Sequence, residues 1–315
     1  MDTTQRTDPS DLFSAKGLVI VITGAGSGIG LSFTKTLHST SPHKIYALAR
    51  RLPLLQSIAA SLDPSGTVIT PLECDITSPT SIAAAVSHIE KETGYIDVLI
   101  NNAGVTGPDH RGIYEAGSIE QVRDVLLGEW EKWEATYATN TTAVVGVSAA
   151  FLPLLDRGNE RRGWVNGKLG PGEGPRERKT VQKKEKGDEE VDMSDERTSQ
   201  IITVASIAAF NRHVTAGFAY SASKAGAVSV GKTLATALAG WGVRSNVIAP
   251  GIYPSDMTTS APKQFPVDKV PAGRQGSLGE IGGAVLYLVG KSGAYVNGDV
   301  LITDGGRLSV HPATY

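Results

Sequence analysis

The chain has 315 residues, 40% hydrophobic and 20% charged, which is ample apolar material for a large core. A formal net charge of −2 gives no electrostatic basis for binding nucleic acid or an anionic membrane. The one cysteine, Cys74, excludes an intramolecular disulfide and a cysteine-rich metal site, which together with a polar N-terminus unlike a signal peptide fits a reducing, cytoplasmic setting.

Short β-branched runs alternate with helical patterns along the chain. Residues 17–23 (GLVIVIT), 44–49 (KIYALA), 68–74 (VITPLEC) and 96–103 (IDVLINNA) read as buried strands, as do 199–206 (SQIITVAS), 243–250 (VRSNVIAP) and 299–303 (DVLIT). Helical spacing fills the intervals, including 128–155 and 221–240. Apolar strands alternating with helices predict an α/β fold, a doubly wound seven-stranded parallel sheet with helices on both faces, in one domain spanning 1–315. No uninterrupted apolar run approaches a membrane span. One segment breaks the pattern: about 157–199 is densely charged, glycine-bearing and poor in aliphatics, so it is expected to be a flexible insertion.

The first strand runs into a glycine-rich turn, Thr23-Gly24-x-x-x-Gly28-x-Gly30, with Gly26, Ser27 and Ile29 between. The spacing is not G-x-G-x-x-G, but a strand-to-helix turn offers free N–H groups and a helix dipole to a pyrophosphate. The second strand ends in Ala49-Arg50-Arg51, where an acid would hold ribose hydroxyls and an arginine accommodates a 2′-phosphate. The expected cofactor is therefore NADP(H) over NAD(H). Asp75, followed by Ile76, ends the third strand and could accept from an adenine amino group or cap the next helix. Tyr220 and Lys224 stand four apart in a helical run, so phenol and ammonium share a face, and in a pocket the ammonium would favour the phenolate.

With TGAGSGIG, NNAG at 101–104 and YSASK at 220–224 in that order, the chain resembles the short-chain dehydrogenase/reductase family from about Gly17 to Gly306. The resemblance implies a Rossmann-like fold and hydride transfer between a nicotinamide and a ketone or secondary alcohol. It implies catalytic roles for Ser206, Tyr220, Lys224 and Asn140, the last through a water relay. It adds Asn102, Ala103, Gly104, Pro250, Gly251, Ile252 and Ser255 to the cofactor contacts, with Tyr220 and Lys224 also on the nicotinamide ribose. A substrate lid is expected at about 252–270, and a homodimer or homotetramer through paired long helices, for which Ala225, Gly226 and Ser229 present a small-residue face. The expected substrate is a small molecule, a ketone of moderate size (3-oxoacyl, polyketide or alicyclic) against Val105, Ile207, Phe210, Tyr253 and Phe265, with no metal involved. Two alternatives stand: an NAD-dependent alcohol dehydrogenase of the same fold, or a non-catalytic NADP-binding scaffold that docks partners through its charged insertion.

Overall fold

Successive residues of a strand point to opposite faces, and in β1 (Val19–Thr23) both faces are apolar and fully buried. Ile20 and Ile22 join one core layer with Phe33, Leu37, Ile281 and Val285, while Val19 and Val21 join the other with Leu99, Ile201, Phe151 and Leu155. A sheet buried on both sides is the condition for parallel strands. The computed structural model describes residues 8–179 and 195–314. Its strands continue with β2 (Lys44–Ala49), β3 (Ile69–Glu73), β4 (Val98–Asn101), β5 (Gln200–Val204), β6 (Arg244–Pro250) and β7 (Val300–Thr303). They form one seven-stranded sheet in the order β3-β2-β1-β4-β5-β6-β7, every pair parallel.

The helices are α1 (Pro9–Leu12), α2 (Gly28–His38), α3 (Leu52–Leu62), α4 (Pro79–Glu92) and α5 (Ile119–Leu127). They continue with α6 (Lys132–Tyr137), α7 (Ala143–Arg161), α8 (Phe218–Ala237), α9 (Leu278–Val289) and α10 (Arg307–Val310). α2 packs with α9 on one face, and α4 with α7 on the other. A π-turn, Ala138–Thr142, joins α6 to α7, so residues 132–161 run as one helical stretch. That stretch is long and apolar enough to cross a membrane, but Val147, Phe151, Leu154 and Leu155 lie in the core. Strand order reverses between β1 and β4, and a ligand crevice belongs at the carboxyl ends on either side of that point.

The charged insertion departs from expectation at both ends. Residues 157–161 complete α7, where Asn159 accepts from Ser199 N at 2.7 Å and donates to Gly242 O at 2.9 Å. Beyond it, buried Arg162 pairs with Asp97 at 3.0 Å and donates to Arg197 O at 2.9 Å. Arg176 reaches the carbonyls of Val165 and Gly240, and Arg197 those of Ser14 and Val289. Charge does not prevent ordering here because each guanidinium finds carbonyl or carboxylate partners as it is buried. The middle of the segment, 180–194, lies outside the described residues.

Candidate active site

The crevice at the switch point is a cavity of about 790 Å³ along the carboxyl ends of the strands. Its floor begins where β1 turns into α2. Gly24 and Gly28 have φ of +66° and +51°, in the left-handed region that glycine enters at no steric cost. A side chain on Gly30 would collide with Gly24 O and stand 2.5 Å from Asn102 Nδ2. The turn is held from behind. Thr23 Oγ1 accepts from Asn102 N at 3.0 Å and Ala103 N at 3.2 Å, and Asn102 Nδ2 donates to Thr23 O at 3.0 Å and Gly24 O at 3.2 Å. Thr23 thus braces the TGxxxGxG and NNAG stretches from a buried position behind the cavity wall. At the N-cap of α2, the Ser27 side chain makes no capping bond, so the first turn keeps N–H groups for an anion. Gly24, Gly26, Ser27, Gly28, Ile29 and Gly30 all line the cavity. A compact glycine cradle at a helix N-terminus, in which Gly24, Gly28 and Gly30 leave no room for a Cβ, suits a dinucleotide pyrophosphate.

Arg50 and Arg51 lie at the far end of the same cavity, exposed, directly after Ala49, the last residue of β2. Arg51 faces Asp256 across the mouth at 3.7 Å. Asp75 and Ile76 also line this end. Asp75 Oδ1 accepts from Thr77 N at 2.9 Å and Thr77 Oγ1 at 2.7 Å, and these bonds, followed by Arg50, hold its carboxyl below the usual range. The cap of α4 is Ser78, so Asp75 orders the approach to that helix without capping it. Ser255 closes over the glycine turn; its Cβ lies 2.8 Å from where a Gly28 side chain would begin.

The other end of the cavity holds Tyr220 and Lys224, one turn apart at the start of α8, with Gly104 beside them. Lys224 Nζ donates to Val204 O at 2.9 Å and lies 6.0 Å from the centre of the Tyr220 ring. Burial depresses the Lys224 ammonium to about 8. Burial raises the Tyr220 phenol, opposed by its hydrogen bond with the Ser206 hydroxyl. Ser206 ends the β5 stretch as cap of a short 3-10 turn, where its Oγ accepts from Ala208 N at 3.1 Å and keeps its proton to donate.

Asn140 sits in the π-turn, an irregularity common at functional sites. Its side chain is committed: Oδ1 accepts from Val105 N at 2.9 Å, and Nδ2 donates to Val105 O at 2.9 Å and Ser223 Oγ at 3.0 Å. It braces the loop after β4 against α8. A Cβ on Gly104 would lie 3.1 Å from Asn140 Oδ1 and 3.2 Å from Lys224 Nζ, so only glycine fits easily there.

Pro250 ends β6 and Gly251 and Ile252 follow it, but all three lie outside the cavity lining, with Gly251 closed against Asp304. Of the apolar walls expected around a substrate, Val105 lines the cavity. Ile207 and Tyr253 are buried in the protein, Tyr253 against Gly276. Gly226, part of the small-residue face expected to allow close helix packing between subunits, closes against Thr141 of the same chain. Leu54, Thr77, Thr139 and Met257 also line the cavity. Leu54 could have been found one turn beyond Arg51, and Met257 two residues past Ser255; Thr139 carries no local signal.

The short chain dehydrogenase model matches residues 18–165, and a second, described as Enoyl-(Acyl carrier protein) reductase, matches 189–307. The chain is similar to the short-chain dehydrogenase/reductase PhomF of Diaporthe leptostromiformis, 36% identical over 315 residues, covering 97% of this chain and 96% of that one. It is 29% identical over 301 residues to the 3-oxoacyl-[acyl-carrier-protein] reductase FabG of Escherichia coli, covering 94% and 99%. The fold is shared with RhlG of Pseudomonas aeruginosa, solved as an NADP complex, at a TM-score of 0.71 and 23% identity over 94% and 98% of the two chains. A parallel seven-stranded sheet, a glycine cradle at its switch point and near full-length relatives converge: the chain belongs to the short-chain dehydrogenase/reductase family, enzymes that interconvert CH–OH and C=O groups.

Proposed function

We propose that this protein is an NADP(H)-dependent reductase of a ketone of moderate size, 3-oxoacyl, polyketide or alicyclic, or the dehydrogenase of the matching alcohol. One observation carries the reading: a single cavity joins the glycine cradle and two arginines at one end to Tyr220 and Lys224 at the other. The cradle would hold the pyrophosphate, Arg50 and Arg51 a 2′-phosphate, and Asn102, Ala103, Gly104 and Ser255 the remainder, with 250–252 nearby. Bound there, the nicotinamide supplies or accepts the hydride.

The chain's own residues manage the oxygen. In the direction of reduction the Tyr220 hydroxyl gives its proton to the carbonyl oxygen. Ser206 Oγ donates to the same oxygen where charge develops, and Lys224 steadies the phenolate left behind. Asn140, through the turn it braces, would help return a proton to Lys224. The apolar Val105 and Met257 lining suits a ketone, and the FabG relative acts, by its name, on a 3-oxoacyl group. The reading also takes the protein to be cytoplasmic and a homodimer or homotetramer, with 252–270 as a movable lid.

Oxidation of NADPH and of NADH should be followed across a panel of 3-oxoacyl thioesters, polyketide-like diketones and cyclic ketones. Turnover with NADPH preferred is expected, with that preference lost in Arg50→Ala. A variant that kept its preference would sink the ribose-site assignment. Tight NADPH binding with no turnover on any ketone, and with partner binding intact in Tyr220→Phe, would favour a non-catalytic scaffold.

A further inference from the structure

The first turn of α8 carries Tyr220 as its third residue, and Phe218 N, Ala219 N and Tyr220 N have no acceptor earlier in their own helix. Such a turn is normally closed by a Ser, Thr, Asp or Asn side chain at the N-cap. Here the N-cap is Gly217, which has no side chain to offer. Glycine is required there: any Cβ would collide with Pro108 O and lie 3.0 Å from His110 Nδ1. The loop after β4 thus presses so closely on the helix start that the ordinary cap cannot be present.

We propose that His110, fully buried in that loop, is the cap supplied from outside, and so a positioning residue for Tyr220. Its Nδ1 accepts from Phe218 N at 3.2 Å, and its own backbone N donates to Ala216 O at 3.1 Å, a two-point clamp on either side of Gly217. An accepting Nδ1 puts the ring proton on Nε2. That Nε2 is buried without a hydrogen-bond partner among the described residues. The ring stacks edge-on to Phe218 at 5.6 Å and tilts toward Trp133 at 5.8 Å. A hydrocarbon ring would fill this space without stranding a polar N–H. What histidine adds is the Nδ1 acceptor, aimed at the helix end from which the proposed proton donor projects. The clamp ties the loop after β4, which leaves the cofactor cradle at Gly104, to the start of α8 that carries Tyr220.

The inference rests on the proposed oxidoreductase reading for its kinetic consequence, but not for its structural one. His110→Phe removes the acceptor and keeps a ring; His110→Asn keeps an acceptor at the δ position. Both should be made in the full chain and examined by amide hydrogen exchange over residues 217–224, by NADPH affinity and by steady-state kinetics. The Phe variant should exchange faster in that segment and lose about tenfold or more in kcat, the scale of a small misplacement of a reacting group. Its KM and NADPH affinity should hold within about twofold, and Asn should recover most of the kcat and the protection. Should the Phe variant fail to fold, His110→Leu, which likewise offers no acceptor, replaces it with the same expectation. Unchanged exchange and kcat in the acceptor-less variant would overturn the proposal, as would an Asn variant no better than Phe. If the wild-type protein turns over no ketone, the oxidoreductase reading fails separately, and faster exchange in Phe with recovery in Asn still decides the cap.

Discussion

Lys224 and Tyr220 are displaced by the same force in opposite directions, because burial opposes an ammonium and a phenolate alike. Lys224 titrates near 8 in the folded chain against 10.5 ordinarily, and the phenol lies above its usual 10. Between about pH 8 and 10 the unfolded chain therefore binds a proton at Lys224 that the native chain does not, so stability rises with pH across that window. Above about 10 the unfolded phenol ionises first and the trend turns down. Urea midpoints should rise from pH 8 to 10 in the wild type relative to Lys224→Met, in which that contribution is absent; parallel curves would contradict a buried titrating lysine. A raised phenol suits a proton donor. Tyr220→Phe should lower kcat by about 10²–10⁴-fold, the usual worth of a positioned general acid, with NADPH affinity nearly unchanged.

At the scale of elements, the β1–α2 turn owes its shape to backbone contacts that admit no side chains. Gly30 faces Gly24 O and Asn102, whereas a Cβ on Gly26 would meet Leu55 Cδ1 at an ordinary 3.7 Å. Gly30→Ala should cost about 1–3 kcal/mol, the range for overpacking, and abolish NADPH binding. Gly26→Ala should leave the melting temperature within a degree or two, since nothing need move. Calorimetry of the two variants separates a turn shaped by close packing from one that merely contains glycines; equal melting temperatures would refute the contact argument. Asn140 acts at this scale too. Its amide spends both ends on Val105 and Ser223, so its effect reaches the site through the position of the loop.

Over the whole molecule, the end of the sheet opposite the cavity is closed by charge. Asp97 accepts from Val19 N at 2.7 Å and pairs with Arg162, both side chains nearly or wholly inaccessible to water. Arg197 and Arg244 anchor neighbouring segments to backbone carbonyls in the same region. Removing Arg162 leaves the buried Asp97 carboxylate with Val19 N and only the longer contact to Arg161, at 3.7 Å. Arg162→Ala should lower unfolding free energy by about 3–5 kcal/mol in urea titrations, with part recovered when Asp97→Asn is added. A loss under about 1 kcal/mol, the scale of an exposed pair, would show that water reaches the site.

The seven strands, their parallel arrangement and the glycine turn were legible in the chain because each is a local pattern: apolar runs of strand length, then a turn in which three positions, Gly24, Gly28 and Gly30, must lack side chains. Tyr220 and Lys224 were legible for the same reason, a spacing set by one helical turn. The sign of their titration was not, since desolvation depends on what the fold packs around them. Nor could composition show that residues 162–179 would be drawn onto the body, because a guanidinium is costly to bury until carbonyls distant in sequence are brought to it. His110 is the plainest case. Nothing near it in sequence marks it, and its role arises only when a loop after the fourth strand meets the glycine that begins the helix of Tyr220.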